Sequence, residues 1–347
     1  MRHARSLLSL VPFVLACNPE FSNRFSHIDG ARVLGVQSTA AEVTPKTVVS
    51  YRILVATPTG TDQSPLVDWA YCTQPRAGSD VNDFSAACLG SSDVVVPFGS
   101  GSEPSGTIPQ NACRQFGPDI PQTKPGEPQA RPTDADSTGG YYQPVVLNLH
   151  AASGLIQELG ETRISCGLAN SSTAQLTDYH DRSKPNENPE LSDVVALELG
   201  NASLTAEDAA APLEIAPGTV LTLRASWPAC PVTSSCGDGI CGPHEDIQGC
   251  PADCSTPHGC QGAEPYAYLD PLSHQIVDRH ETIRVSWFST AGDFADDHTG
   301  RTEQEFALTT SDDSWTAPSA QGSVFMWVVL RDARGGIDWK SFRLEVK

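Results

Sequence analysis

The sequence predicts an all-β chain of two tandem sandwich domains, the second carrying a small disulfide-rich insert. Three observations carry this. Apolar and polar residues alternate with period two at Leu221, Leu223, Ala225 and Trp227, at Ile283, Val285 and Trp287, and at Phe342, Leu344 and Val346. Such alternation places one strand face in a core and the other in water. Residues 42–55, EVTPKTVVSYRILV, align without gaps to residues 214–227, EIAPGTVLTLRASW, with five identities, and each copy is followed by a strand with one tryptophan, Trp69 and Trp287. A repeat on that scale reads as two related domains. Finally, six of the eleven cysteines fall within residues 230–260, between two alternating strands.

Composition agrees. The 347 residues hold 28 Gly and 27 Pro, and charged residues are 18%, which suits turn-rich β structure. Formal net charge is −20. A surface of that sign repels nucleic acid, so no nucleic-acid partner is expected.

Residues 1–17, MRHARSLLSLVPFVLAC, read as an export signal, with Arg2 and Arg5 before an apolar core too short to span a bilayer. The end, Val14-Leu15-Ala16-Cys17, resembles the bacterial lipobox, which implies lipidation at Cys17. Asn18 follows instead of Asp, and by resemblance to Gram-negative lipoproteins this implies the outer membrane, with the lipid anchor as the membrane contact. Loss of Arg2 and Arg5 would leave a mature charge of −22. Ten cysteines remain after Cys17, enough for five disulfides in an oxidising compartment.

Residues 18–30 are polar and read as a tether. The first domain spans 31–180, with strands expected over 32–37, 47–57 and 66–72 from their Val, Ile, Tyr and Trp content. Residues 97–144 hold nine prolines and read as a long Pro/Gly-rich loop. A strand over 145–149, a short helix over 155–159 and a strand over 163–168 follow. Four cysteines here allow three pairings; the economical choice is Cys88 with Cys113, closing the loop, and Cys72 with Cys166 between strands. Residues 181–191, DRSKPNENPEL, read as a linker.

The second domain spans 192–347. Besides the three alternating strands, VFMWVVL over 324–330 is apolar throughout, as in a central strand, and RDARGG turns the chain into the last one. This set resembles an immunoglobulin-like or PKD-like sandwich, although FSTAGDF after Trp287 replaces a compact Gly-Asp-Gly turn.

Within 230–260 no C-x-x-C pair occurs, which argues against a zinc ribbon and for disulfides. A Cys230–Cys260 bridge would pinch the insert off the sandwich; inside it, Cys236–Cys250 with Cys241–Cys254 is one of three pairings. Between Ala225 and Asp278 there is no Lys or Arg, whereas Asp238, Glu245, Asp246 and Asp253 cluster there. Carboxylates on rigid turns suit Ca²⁺, so these four are the candidate metal ligands, the other reading being solvated turn residues. No further cofactor is expected. The pattern CGDGICGPHEDIQGCPADC resembles modules in exported proteins predicted for myxobacteria. With SWPAC before and WVVLRDARGGIDW after, most of the mature chain resembles their outer-membrane lipoproteins of unassigned function. That resemblance implies a surface location and carries no catalytic residues.

No G-x-S-x-G, Walker A or G-x-G-x-x-G motif is present. His280-Glu281 starts like H-E-x-x-H, but Arg284 holds the second histidine position, so a solvent-facing charge pair is expected. His274 with His280 read as two surface histidines or a weak metal pair, the Tyr179-His180-Asp181 run as polar surface, the acidic loop with Asp293, Asp296 and Asp297 as a divalent-cation site or a soluble turn, and the Tyr141-Tyr142 pair as packing or a platform for sugars. The expected function is therefore a non-catalytic binding, adhesion or spacer role at the cell surface, with an envelope protein or polysaccharide as partner. The alternatives are a structural subunit of an envelope complex and a hydrolase with an unrecognised carboxylate site.

Overall fold

The computed structural model describes residues 25–75, 84–90, 92–118, 136–231, 236–237, 239–241, 245, 248–254 and 259–347. Cys17 and the signal segment lie outside them. Among the described residues no helix is long and apolar enough to cross a membrane.

The first domain contains β1 (Arg32–Ser38), β2 (Glu42–Val43), β3 (Val48–Thr57), β4 (Gly60–Thr61), β5 (Val67–Cys72), β6 (Val95–Ser100), β7 (Ser105–Thr107), β8 (Gly140–Ala151) and β9 (Gly154–Ser165). One sheet runs β2-β9-β8-β5-β6 and the other β1-β3-β4, with β7 also on β3. Tyr51, Trp69, Val145, Leu147 and Ile164 fill the space between them. The expected loop thus contains β6, β7 and a short helix α1 (Ala112–Gln115), and β8 begins before its end. The helix expected over 155–159 is instead strand. Pairing with all of β8 overrides the helical preference of Leu, Gln and Glu there. A helix that sequence reading did not find, α2 (Thr173–Arg182), follows, opened by a capping box in which Ser172 and Gln175 bond reciprocally.

The second domain contains β10 (Asp193–Ala196), β11 (Ala202–Ser203), β12 (Leu213–Ile215), β13 (Val220–Ser226), β14 (Pro265–Leu269), β15 (Ile276–His280), β16 (Ile283–Ser289), β17 (Asp293–Phe294), β18 (His298–Arg301), β19 (Thr310–Thr316), β20 (Gly322–Asp332) and β21 (Ile337–Val346). Its sheets run β12-β21-β20-β16-β18 and β11-β10-β13-β19-β17, enclosing Leu221, Leu223, Trp287, Trp315, Leu330 and Leu344.

The sequence repeat has a structural counterpart. In each domain a short strand at the start of the repeated segment pairs in parallel with the domain's last long strand, β2 with β9 and β12 with β21. The turn that follows is left-handed at the same aligned position, Lys46 at φ 73° and Gly218 at φ 71°. A side chain in that region costs about 1–2 kcal/mol. Lys46→Gly is therefore expected to raise, and Gly218→Ala to lower, the urea midpoint of unfolding by about that much stability; equal effects of one sign would contradict the shared turn.

The disulfides of the first domain differ from the expected pairing. Cys72 bonds Cys88 and Cys113 bonds Cys166, with Cα separations of 5.5 and 5.4 Å. The reason lies in strand order. Cys72 ends β5 and Cys166 follows β9, and β8 runs between those strands. Two strand spacings are about 10 Å, beyond the reach of a disulfide. Cys88 instead sits in a one-turn helix beside the end of β5, and α1 carries Cys113 to the end of β9.

The two sandwiches stack on each other. Leu34, Leu54 and Ala56 of β1 and β3 meet Phe288, Trp327, Val329 and Ile337 of the second domain in one buried apolar layer. Residues 25–30, expected as tether, are docked there: Ile28 is buried in the same layer and its N–H bonds the Ser289 carbonyl at 2.9 Å. The expected linker is also packed, with Asn186 and Leu191 buried. An apolar contact of this extent removes the mobility usual between tandem domains.

Candidate functional site

The insert is held by three disulfides, Cys230–Cys260, Cys236–Cys250 and Cys241–Cys254. Its one described helix is α3 (Pro251–Cys254). Asp253, which is buried, accepts the N–H groups of Gly237 at 2.5 Å and Gly239 at 3.1 Å on separate oxygens. Asp253 thus anchors Gly237 and Gly239. Of the other candidate calcium ligands, Glu245 is buried and Asp238 and Asp246 lie outside the described residues. Among the described residues, three candidate ligand atoms come together at Cys236, Cys250 and Asp253. The two sulfurs are bonded to each other, so among the described residues this group offers a single carboxylate and no oxygen cage of the kind Ca²⁺ takes.

Beside the insert, the hairpin β14–β15 packs Ala267 and Ile276 against Leu168 and Tyr179, the latter on α2. The insert, this hairpin and the chain leaving α2 surround a small cleft open to solvent. Arg182 and Lys184 stand on one wall, Pro231, Ile240 and the Cys260 region on another, and Glu264, Tyr266 and Asp278 along the hairpin. Arg182 is fixed by the Ile276 carbonyl at 2.8 Å and Asp278 at 2.6 Å, and the Lys184 ammonium donates to the Glu245 carbonyl at 3.1 Å.

Below the cleft lies a buried charge network that joins both domains. Arg334, in the turn between β20 and β21, donates to Glu281 at 2.7 Å and to Glu264 in a second, short bond. Glu264 and Glu281 exchange backbone contacts: the Glu264 N–H reaches the Glu281 carboxyl and the Glu281 N–H the Glu264 carbonyl. Asn186 links this group to the first domain, its N–H bonding Glu42 at 3.1 Å and its side chain Asp332 at 3.2 Å. Glu42 pairs in turn with Arg163 at 2.9 Å. Four carboxyls thus share two guanidiniums. Burial pushes Glu264 and Glu281 up, the latter to about 8, against the pull of Arg334. Burial also pushes on Glu42, but Arg163 and Arg334 outweigh it and hold that carboxyl below its ordinary value.

Glu281 is therefore not on the surface as expected: it is 1% exposed. His280 and His274 do not share a site. His280 stacks on Phe306 with ring centroids 3.7 Å apart, and His274 lies in the β14–β15 turn with φ 55°. Tyr179 is buried and donates to the Thr138 carbonyl at 2.8 Å. In the acidic loop Asp297 accepts from Ser26, and Asp296 donates its N–H to Asp313, a carboxyl that burial pushes up to about 6. Sequence reading missed the network because its members come from six separate segments. The one signal for it was the three charges in RDARGG, directly after an apolar central run.

No protein-family model matches the sequence, and no curated protein does either. Among solved structures, the chain is similar to dimeric latent PorU from Porphyromonas gingivalis at 11% identity and TM-score 0.20, covering 92% of this chain and 24% of that one. It is similar to trypsin-activated alpha-2-macroglobulin from Escherichia coli at 9% identity and TM-score 0.23, covering 92% and 17%. A DUF4785 family protein from Legionella pneumophila aligns at 8% identity and TM-score 0.19, covering 90% and 56%. The chain spans about a quarter or less of the first two.

Proposed function

We propose that this chain is an exported, lipid-anchored, non-catalytic protein of the bacterial outer membrane that holds a rigid binding cleft away from the bilayer. The observation that carries the reading is the fusion of the two sandwiches through an apolar layer and a charge network, with the stapled insert forming one wall of the cleft. Five disulfides support an oxidising compartment. Lipidation at Cys17 and kinship with myxobacterial surface lipoproteins belong to this proposal and rest on the sequence resemblance. The strongly acidic composition supports an envelope protein or polysaccharide partner rather than nucleic acid.

The hydrolase alternative would need a carboxyl pair open to substrate. Glu264 and Glu281 are the nearest approach, and the burial of Glu281 against Arg334 supports the non-catalytic reading. The test is retention of the mature chain on envelope extract and on glycan and peptide arrays, compared with Tyr266→Ala. Retention that falls at least tenfold in the variant at unchanged melting temperature is expected. Turnover of any arrayed glycan or peptide, or retention indifferent to Tyr266, would overturn the reading.

A further inference from the structure

We propose that the junction network keeps a proton on Glu264, that this proton holds the wall of the cleft shut at Gly259, and that its loss at mildly alkaline pH opens that wall and switches recognition off. The inference rests on the cleft being the recognition site.

The seat of the proton follows from the donors around each carboxyl. Glu42 accepts from Ser165 on one oxygen and from Arg163 and the Asn186 N–H on the other. Asp332 accepts the Arg334 and Gly336 N–H groups on one oxygen and the Asn186 amide on the other. Glu281 accepts Arg334 and the Glu264 N–H on separate oxygens. Glu264 differs. Its Oε2 receives Arg334 and the Glu187 N–H, whereas Oε1 is buried without a hydrogen-bond partner. A charged oxygen with neither donor nor water is far costlier to bury than a neutral one. Four carboxyls face two guanidiniums in this enclosure, and a proton relieves the surplus of negative charge. Burial first, and then Glu281, push the Glu264 carboxyl up against the pull of Arg334, which agrees.

The charges around Glu264 come from each element packed there. Arg334 and Asp332 stand at the end of β20 and its turn, and Glu281 before β16. Glu187 and Lys184 belong to the chain after α2, with Glu245 of the insert beyond Lys184. Arg182 and its partner Asp278 lie along the cleft, and Glu42 and Arg163 stand behind Asn186.

The orphan oxygen is sealed from the cleft by backbone. A Cβ added to Gly259 would overlap it, and the Glu187 Cγ lies 3.0 Å from the same point. Gly259 adjoins Cys260, one end of the Cys230–Cys260 bridge, and both line the cleft with Glu264 and Tyr266. Because Arg334 holds Oε2, an ionised Oε1 gains water only if the Gly259 backbone moves off it, and that movement displaces the cleft wall. Such local opening takes less free energy than global unfolding. A carboxyl raised in the closed form favours that form at low pH and loses the advantage as pH rises through its folded value. The partner Glu281, at about 8, places the change in the mildly alkaline range.

Hydrogen–deuterium exchange of the mature chain at pH 6 and pH 9, corrected for intrinsic exchange, reads the seal without a ligand. Amides of residues 186–187 and 259–264 are expected to open at least tenfold more often at pH 9, while those of β13 and β19 stay protected. Glu264→Gln cannot ionise and should open equally at both pH values. Gly259→Ala forces the wall off Glu264 and should open at pH 6 as the wild type does at pH 9. Retention on envelope extract should fall at least tenfold from pH 6 to pH 9 in the wild type and stay level in Glu264→Gln. Wild-type opening indifferent to pH, or opening in Glu264→Gln that still follows pH, would overturn the inference and leave the cleft as a recognition site. A wall that opens while retention ignores both pH and Tyr266→Ala would instead remove the recognition reading itself.

Discussion

Arg334→Met is expected to cost about 3–5 kcal/mol of stability at pH 8 and clearly less at pH 5, read from urea unfolding at each pH. Arg334 is the shared donor to Glu264 and Glu281, both almost fully buried, so its removal strands two carboxyls away from water. At pH 5 both retain their protons and little charge is stranded. The same shifts set the pH dependence of the wild type. Carboxyls whose folded values are raised contribute stability that is fully present below their ordinary value near 4.5 and is lost as pH rises through the folded value, about 8 for Glu281. Glu42 has the opposite sign: its depressed value contributes stability above the ordinary carboxylate range, lost only as the solution turns strongly acidic. Between pH 5 and pH 8 the wild type is therefore expected to weaken, and Glu281→Gln to flatten that slope. A wild-type stability that rises steadily over this window would contradict the assignment.

Trp327→Ala is expected to cost about 3–5 kcal/mol and to split one calorimetric transition into two. Trp327 is on β20, whose other face belongs to the second domain's core, but its own ring points into the layer between the domains. It is 0% exposed and its indole N–H reaches Thr61 of the first domain at 2.7 Å. Removing it opens a cavity where the two sandwiches are coupled. Trp287→Ala, on the core side of the adjacent strand, should cost a similar amount without separating the transitions. If both variants melt in one step, the domains are joined by something other than this layer.

These expectations depend on side chains with different legibility in the sequence. Trp287 announces its side by alternation with Arg284 and Ser286 around it. Trp327 does not, because VFMWVVL is apolar on both faces. A strand between two apolar layers leaves no polar residue to mark which face is which. Glu281 looked like a surface charge because acids are almost never buried without a partner, and its partner is 53 residues away at Arg334. Asn186 and its neighbours looked like a linker for the same reason. Two prolines and several polar residues are what a solvated connector contains, and here their hydrogen bonds are satisfied by protein. The cleft itself had no signature, since Arg182, Glu264 and Tyr266 carry meaning only once α2 and the hairpin are side by side.

The sequence by itself determined the all-β class, the repeat of residues 42–55 at 214–227, the disulfide-closed insert and the absence of recognisable catalytic motifs. Each of those is written in local pattern: period-two alternation, a repeated segment, and cysteines close enough in the chain that few pairings compete. Only the tertiary structure decided the partners of Cys72 and Cys113, the stacking of one sandwich on the other, and the enclosure of four carboxyls with two arginines at their junction. These are contacts between residues far apart along the chain. Strand order and the apolar layer fix them, and neither is encoded in any single segment.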